Sequence, residues 1–277
     1  MDQPFRIFSC ALFGLRPERD RHHYYRLLLN DLATKTNLPI IVATNQPEAF
    51  DRKINTIHVT SVEAWSEQIW PASSHAMDAI ARSYLGWHRK NQRLYQYQNP
   101  QVVRAYLAKT ALIAYAAKRY GSLLWLDAGF LFSAVYDHTV PTNWVGYSPK
   151  KIESRLIPLL TGKEERVLVT TYPRKKRFLR QFRPDFHGMS YRCMNRLARA
   201  ANATPTDHYT LAPLLYFPKG SAETLLDEFR EVWQKMLGLK RLGTEENVLS
   251  VLRWRHGWDG MSTEQWLECL YEPSEAA

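Results

Sequence analysis

Residues 100–133, PQVVRAYLAKTALIAYAAKRYGSLLWLDAGFLFS, constrain the fold more than any other stretch of the chain. The pattern predicts a long apolar helix, a Tyr-Gly stop, and a short apolar strand that ends on one carboxylate, Asp127, before Ala128 and Gly129. A buried strand that delivers an acid to its carboxyl end builds a site at the edge of a sheet, where open α/β sheets bind their ligands. On a 3.6-residue period Val102, Tyr106, Ile113 and Ala116 share one stripe of the helix, and Lys109 falls in the same stripe. A lysine placed there either snorkels to solvent or meets an anion. Lys118 and Arg119 in the last turn need no function, because cations suit the negative end of a helix dipole.

The rest of the chain alternates strand-like and helix-like segments. Residues 5–13, 39–44 and 54–62 read as strands, with a helix near 20–36 and helical pieces across 63–98. Residues 166–172 and 211–217 read as further strands. Residues 221–238 form an amphipathic helix for which Ser221 is the expected N-cap, and Thr244 is placed to cap a helix carrying Glu245 and Glu246 in its first turn. Strands separated by helix-length segments imply an α/β fold, with a parallel or mixed sheet and right-handed crossovers. A chain of 277 residues fits one large domain or two small ones, and 1–277 is read as one. The last residues, 272–277, read as a frayed tail.

Composition narrows the class. No run approaches the roughly 18–20 apolar residues of a membrane span, and the N-terminal residues lack a signal peptide's basic start and cleavage site. A cytoplasmic protein is expected. Three widely spaced cysteines, Cys10, Cys193 and Cys269, match no metal spacing and are read as reduced and structural. The formal net charge of +10 is concentrated in Lys150-Lys151, in a run including Arg174, Lys175, Lys176, Arg177 and Arg180, and in Arg192, Arg196 and Arg199. Such a patch attracts polyanions: nucleic acid, anionic lipid at the inner face of a membrane, or a charged glycan. A solvated basic face without a partner is the alternative.

Four segments carry a resemblance: the opening strand running into ALFGLRPERD, PIIVATN, the lysine helix with LLWLDAG, and the late LLYFPKGSAETLLDEF followed by GTEENVLSVL. In order and spacing they resemble the bacterial HtrL/YibB-like family and, more broadly, glycosyltransferases of the GT-A fold. The resemblance implies a GT-A-like (Rossmann-like) mixed sheet flanked by helices in a single domain. Residues 1–135 would be its nucleotide-sugar-binding half and 136–271 its acceptor-side half. It implies transfer of a sugar from a nucleotide-diphosphate sugar to a hydroxyl acceptor, as in surface-polysaccharide or lipopolysaccharide assembly.

The implied donor site comprises Ala11, Leu12, Phe13 and Arg16 around the base and ribose, with Lys109, Asp127, Ala128 and Gly129. Asp127 would stand for the acid of the DXD-type motif that binds Mn²⁺ or Mg²⁺ bridging the donor diphosphate. The chain departs from that motif, because Asp127-Ala128-Gly129 supplies one carboxylate. Lys109 and arginines are then alternative neutralisers of the leaving group. His256 is the C-terminal candidate for a second metal ligand or diphosphate contact. Glu245 and Glu246 are candidates for the general base, with Asp207 a weaker one. Two other functions remain open: the same chemistry on a modified base of DNA or another nucleic acid, and a non-catalytic basic nucleic-acid-binding protein.

Overall fold

The computed structural model describes residues 4–13, 21–71, 100–127, 144–162, 165–174, 184–187 and 189–273. The strands are β1 (Arg6–Ala11), β2 (Ile40–Thr44), β3 (Asn55–His58), β4 (Leu123–Leu126), β5 (Trp144–Tyr147), β6 (Leu168–Pro173), β7 (Pro184–Phe186), β8 (Met189–Ser190), β9 (His208–Phe217), β10 (Asp259–Met261) and β11 (Tyr271–Pro273). The main helices are α1 (Arg21–Lys35), α2 (Val62–Glu67), α3 (Pro100–Tyr120), α4 (Tyr191–Ala200), α5 (Leu225–Gly238), α6 (Glu245–His256) and α7 (Thr263–Leu270). A run of helical turns also spans 149–161.

Seven strands form one mixed sheet in the order β10-β6-β9-β4-β1-β2-β3. The pairs β1–β2, β1–β4, β2–β3 and β6–β10 are parallel, and β9 runs antiparallel between β4 and β6. The α/β reading therefore holds, with the sheet mixed.

The strands at the centre are largely apolar because both faces are covered. In β4, Leu123 and Trp125 join the core on one face while Leu124 and Leu126 join the core on the other. Ile41 and Ala43 of β2 fall on the first face, Ile40 and Val42 on the second. Helices α3, α4, α5 and α6 supply the first layer through residues such as Leu112, Leu197, Trp233 and Leu252, all fully buried. Leu29 and Leu32 of α1 and Trp266 of α7 supply the second. Each such buried side chain contributes about 1.5–3 kcal/mol relative to exposure.

One feature of strand order positions the site. From β1 the chain passes through α1 to β2 and β3 on one side, then returns through α3 to β4 on the other side of β1. The strand order reverses between β1 and β4, which are parallel neighbours with their carboxyl ends side by side. This is the topological switch point at which open α/β sheets leave a crevice.

Several local expectations are corrected. Ser221 does not cap the helix after β9: turns occupy 221–224, the Ser221 hydroxyl donates to the Pro218 carbonyl at 2.7 Å, and α5 starts at Leu225. Strand β9 begins three residues earlier than read, at His208, because its pairing with β6 resumes beyond an irregularity near Val169 and Thr170. Thr244 does cap α6, and Asn247 returns its side chain to the Thr244 amide at 2.7 Å in a capping box. That return path exists because residue 243 is glycine; a Cβ there would lie 2.1 Å from Asn247 Oδ1. Most of the helical pieces expected across 63–98, and the tail residues 274–277, lie outside the described residues. No helix among the described residues is long and apolar enough to cross a membrane.

Candidate functional site

Asp127 follows β4 directly and keeps the sheet's register, its amide donating to the Pro213 carbonyl of β9 at 2.7 Å. Its carboxylate thus sits at the switch point, with a side chain 39% exposed. Lys109 reaches the same place from the middle of α3. Its Nζ lies 3.6 Å from Asp127 Oδ2 and 3.3 Å from Glu245 Oε1, with 13% of the side chain exposed. The ammonium also lies 4.9 Å from the centre of the Trp125 ring, within cation–π range. Of the two readings of Lys109, the anion contact is the one realised. The lysine in the apolar stripe does not snorkel away.

Glu245 and Glu246 open α6, where the helix dipole favours acids. Their surroundings separate them. Glu245 is 4% exposed; its Oε1 accepts from Lys109, while its Oε2 is sealed from solvent without a hydrogen-bond partner. Glu246 Oε1 accepts from the Ala212 amide at 2.8 Å, and Oε2 pairs with His187 Nε2. Ala212 is available because β9 departs from regular pairing there; the Ala212 carbonyl accepts from Trp125 Nε1 at 2.8 Å. One irregularity of a strand therefore fixes both the indole beneath Lys109 and the carboxylate beside His187.

The proton affinities follow from these contacts. Burial would depress the Lys109 pKa, but Glu245, Asp127 and Glu246 override it and hold the ammonium charged, above the usual lysine range. Burial also raises Glu245, only partly offset by Lys109. Burial would raise Glu246 too, yet His187 and the Ala212 amide outweigh it and hold the carboxyl below its usual range. Burial opposes the charged form of His187, and Glu246 outweighs it, raising the imidazole. Two adjacent glutamates whose environments push their affinities apart form a pattern associated with acid–base sites. Beside them the Cys10 thiol is pushed up to about 12 by burial, so it stays neutral. All three cysteines are free.

Nothing in the spacing of the sequence pointed to His187. It stands in the left-handed backbone region, φ 43°, uncommon for a non-glycine residue. It is held there from both directions. Asn247 Nδ2 donates to the Phe186 carbonyl at 3.1 Å, and the Phe186 ring stacks on Tyr209 with centroids 4.1 Å apart. The sequence signal was a histidine between an aromatic residue and a glycine, which is too common to single out.

The other expected site residues divide into three groups. Ala11 ends β1 and is buried, and Phe13 exchanges two hydrogen bonds with Asn45 after β2, at 2.8 and 3.0 Å, tying the two strand ends together next to Asp127. Leu12, between them, packs partly against the core. Arg16, Ala128, Gly129, Lys175, Lys176, Arg177 and Arg180 lie outside the described residues. His256 and Arg174 are corrections. His256 ends the twelve-residue α6, about 18 Å long, whose other end carries Glu245. It pairs with Glu228 at 3.0 Å and borders a cleft of about 500 Å³ with Trp258 and Asp259. It cannot join Asp127 at one ion. Arg174 is 8% exposed: it donates to the Thr206 carbonyl at 2.9 Å and to Asn195 Oδ1 at 2.7 Å, and lies 4.2–4.9 Å from the ring centres of Tyr191, Tyr209 and Trp254. It is a core cation and no part of a surface patch. Asp207, the weaker base candidate, is exposed beside it, and its carbonyl accepts from the Arg174 amide at 2.8 Å. By contrast Arg192, Arg196 and Arg199 are exposed along α4.

For the implied divalent cation, Asp127 is the candidate ligand among the described residues, and Ala128 and Gly129 lie outside them. No group of three or more His, Cys, Asp or Glu suited to a metal occurs among the described residues. The countercharge next to Asp127 is the Lys109 ammonium, which also faces Glu245. Compared with known proteins, the chain matches no family model and no curated sequence.

Proposed function

We propose that the chain is a glycosyltransferase of GT-A type, moving a sugar from a nucleotide-diphosphate sugar to a hydroxyl acceptor in the assembly of a surface polysaccharide. The observation that carries this reading is the pairing of Asp127 with Lys109 at the switch point between β1 and β4. The crevice there suits a nucleotide, its base and ribose lying along the tied ends of β1 and β2. Lys109 supplies positive charge where a leaving diphosphate gains negative charge, from a half-dry setting in which that charge acts strongly. Asp127, the exposed carboxylate, accepts hydrogen bonds from sugar hydroxyls and keeps Lys109 oriented. No step is routed through a metal ion. The exposed arginines of α4 suit an anionic acceptor or a membrane surface.

The test is Asp127→Asn. The variant keeps the fold, since the side chain is partly exposed and asparagine has the same shape, and loses turnover of UDP-, GDP- or dTDP-hexoses by about 10²-fold or more, as measured by released nucleoside diphosphate. Full turnover by a folded variant would remove Asp127 from the site.

A further inference from the structure

Five ionisable side chains run in sequence through the site: Asp127, Lys109, Glu245, Glu246 and His187. The two ends are the ones that reach solvent substantially, Asp127 at 39% and His187 at 33% side-chain exposure. Of the glutamates between them, Glu245 is buried and Glu246 is the less exposed partner of His187, at 14%. Glu245 has one oxygen on Lys109 and the other sealed; Glu246 has one oxygen on the Ala212 amide and the other on His187. A general base must come within hydrogen-bond reach of the proton it removes. Both Glu246 oxygens and Glu245 Oε1 already have partners and Glu245 Oε2 is sealed, whereas the imidazole is the more exposed member of its pair with Glu246.

Resting on the glycosyltransferase reading, we propose that His187 accepts the proton of the acceptor hydroxyl and that Glu246 is the positioning residue that holds the imidazole. As the acceptor oxygen bonds to the anomeric carbon, the bond from that carbon to the diphosphate oxygen breaks. The diphosphate leaves with the electron pair beside Lys109, and the hydroxyl proton passes to the imidazole. Glu246 stabilises the imidazolium, which then releases its proton to solvent. The arrangement follows the logic of a carboxylate that orients a histidine base. The strained backbone of His187, fixed by the Asn247 bond to Phe186, belongs with it, since such strain collects where the surroundings enforce one geometry. The charged groups facing His187 are Glu245 and Glu246 at the start of α6, with Lys109 of α3 and Asp127 beyond them. The imidazole must be neutral to act, so turnover rises with pH through its raised affinity.

The experiment uses the full chain with UDP-, GDP- and dTDP-hexoses and water as acceptor, following nucleoside diphosphate release and, by calorimetry, donor affinity. His187→Asn suits the left-handed backbone and preserves the fold. It is expected to lower turnover by about 10²–10⁴-fold with donor affinity unchanged, and to flatten the rise of turnover with pH. Imidazole added to His187→Ala restores part of the turnover, while it does nothing for Asp127→Asn. Glu246→Gln loses less than His187→Asn and moves the rise to lower pH. If the native chain turns over a donor and His187→Asn does so equally, the assignment of His187 falls and the glycosyltransferase reading stands. If the native chain neither binds nor turns over any of these donors, both fall together.

Discussion

Two of the cations held close to the sheet, Arg174 and Lys109, have surroundings that differ in kind. Arg174, just after β6, lies within 4.9 Å of three ring centres and bonds to a carbonyl and an amide oxygen, with no carboxylate among those partners. Lys109 faces two carboxylates directly, Asp127 and Glu245, and a third, Glu246, sits beyond them. The arginine's hydrogen-bond partners are neutral, and the guanidinium is closed off from solvent. The lysine's partners are acids, one of them exposed at a strand end, so its charge can be handed to an anion arriving from solvent. A buried cation alone says little about function; what compensates it says more.

The comparison can be broken at either cation. Arg174→Ala should have the largest effect on stability. It removes a desolvated cation–π cluster and two hydrogen bonds to a charged group, about 4 kcal/mol together, measured by urea unfolding. Donor binding per folded molecule should not change. If Arg174→Ala weakens donor binding while the fold holds, the division between the two cations is wrong. Lys109→Met should cost about 3 kcal/mol, because Glu245 is left buried without its countercharge. Adding Glu245→Gln to Lys109→Met should return most of that stability without returning donor binding. Such a cycle separates the structural part of the pair from the functional part. Thr244→Ala should cost about 1 kcal/mol through loss of the α6 cap. It should also lower turnover modestly, because Glu245 and Glu246 begin that helix; Arg174 and its rings should be untouched.

The sequence exposed these two sites unequally, and the reasons are physical. Lys109 and Asp127 were legible because helix and strand periodicities place them locally: a lysine in an apolar stripe and an acid at the end of LLWL. Thr244 was legible because caps are local chemistry. The inward turn of Arg174 was not, since a basic run reveals charge and not which member leaves the surface at the end of a strand. His187 was hidden because Asn247, Phe186 and Tyr209 place it through tertiary contacts, and no spacing encodes them. His256 was misplaced for the converse reason: it shares a helix with Glu245 but occupies the opposite end. Short edge strands such as β10 and β11, three residues each, are shaped by their partners and carry almost no pattern of their own.

The central claim is that Lys109 at the switch point receives a diphosphate. Calorimetric titration of UDP, GDP, ADP and dTDP into the native chain, and into the folded Lys109→Met/Glu245→Gln variant, tests it most directly. One of these diphosphates should bind the native chain, and the same diphosphate should fail to bind the variant at equal concentration. Equal binding to both, or binding to neither, would contradict the account.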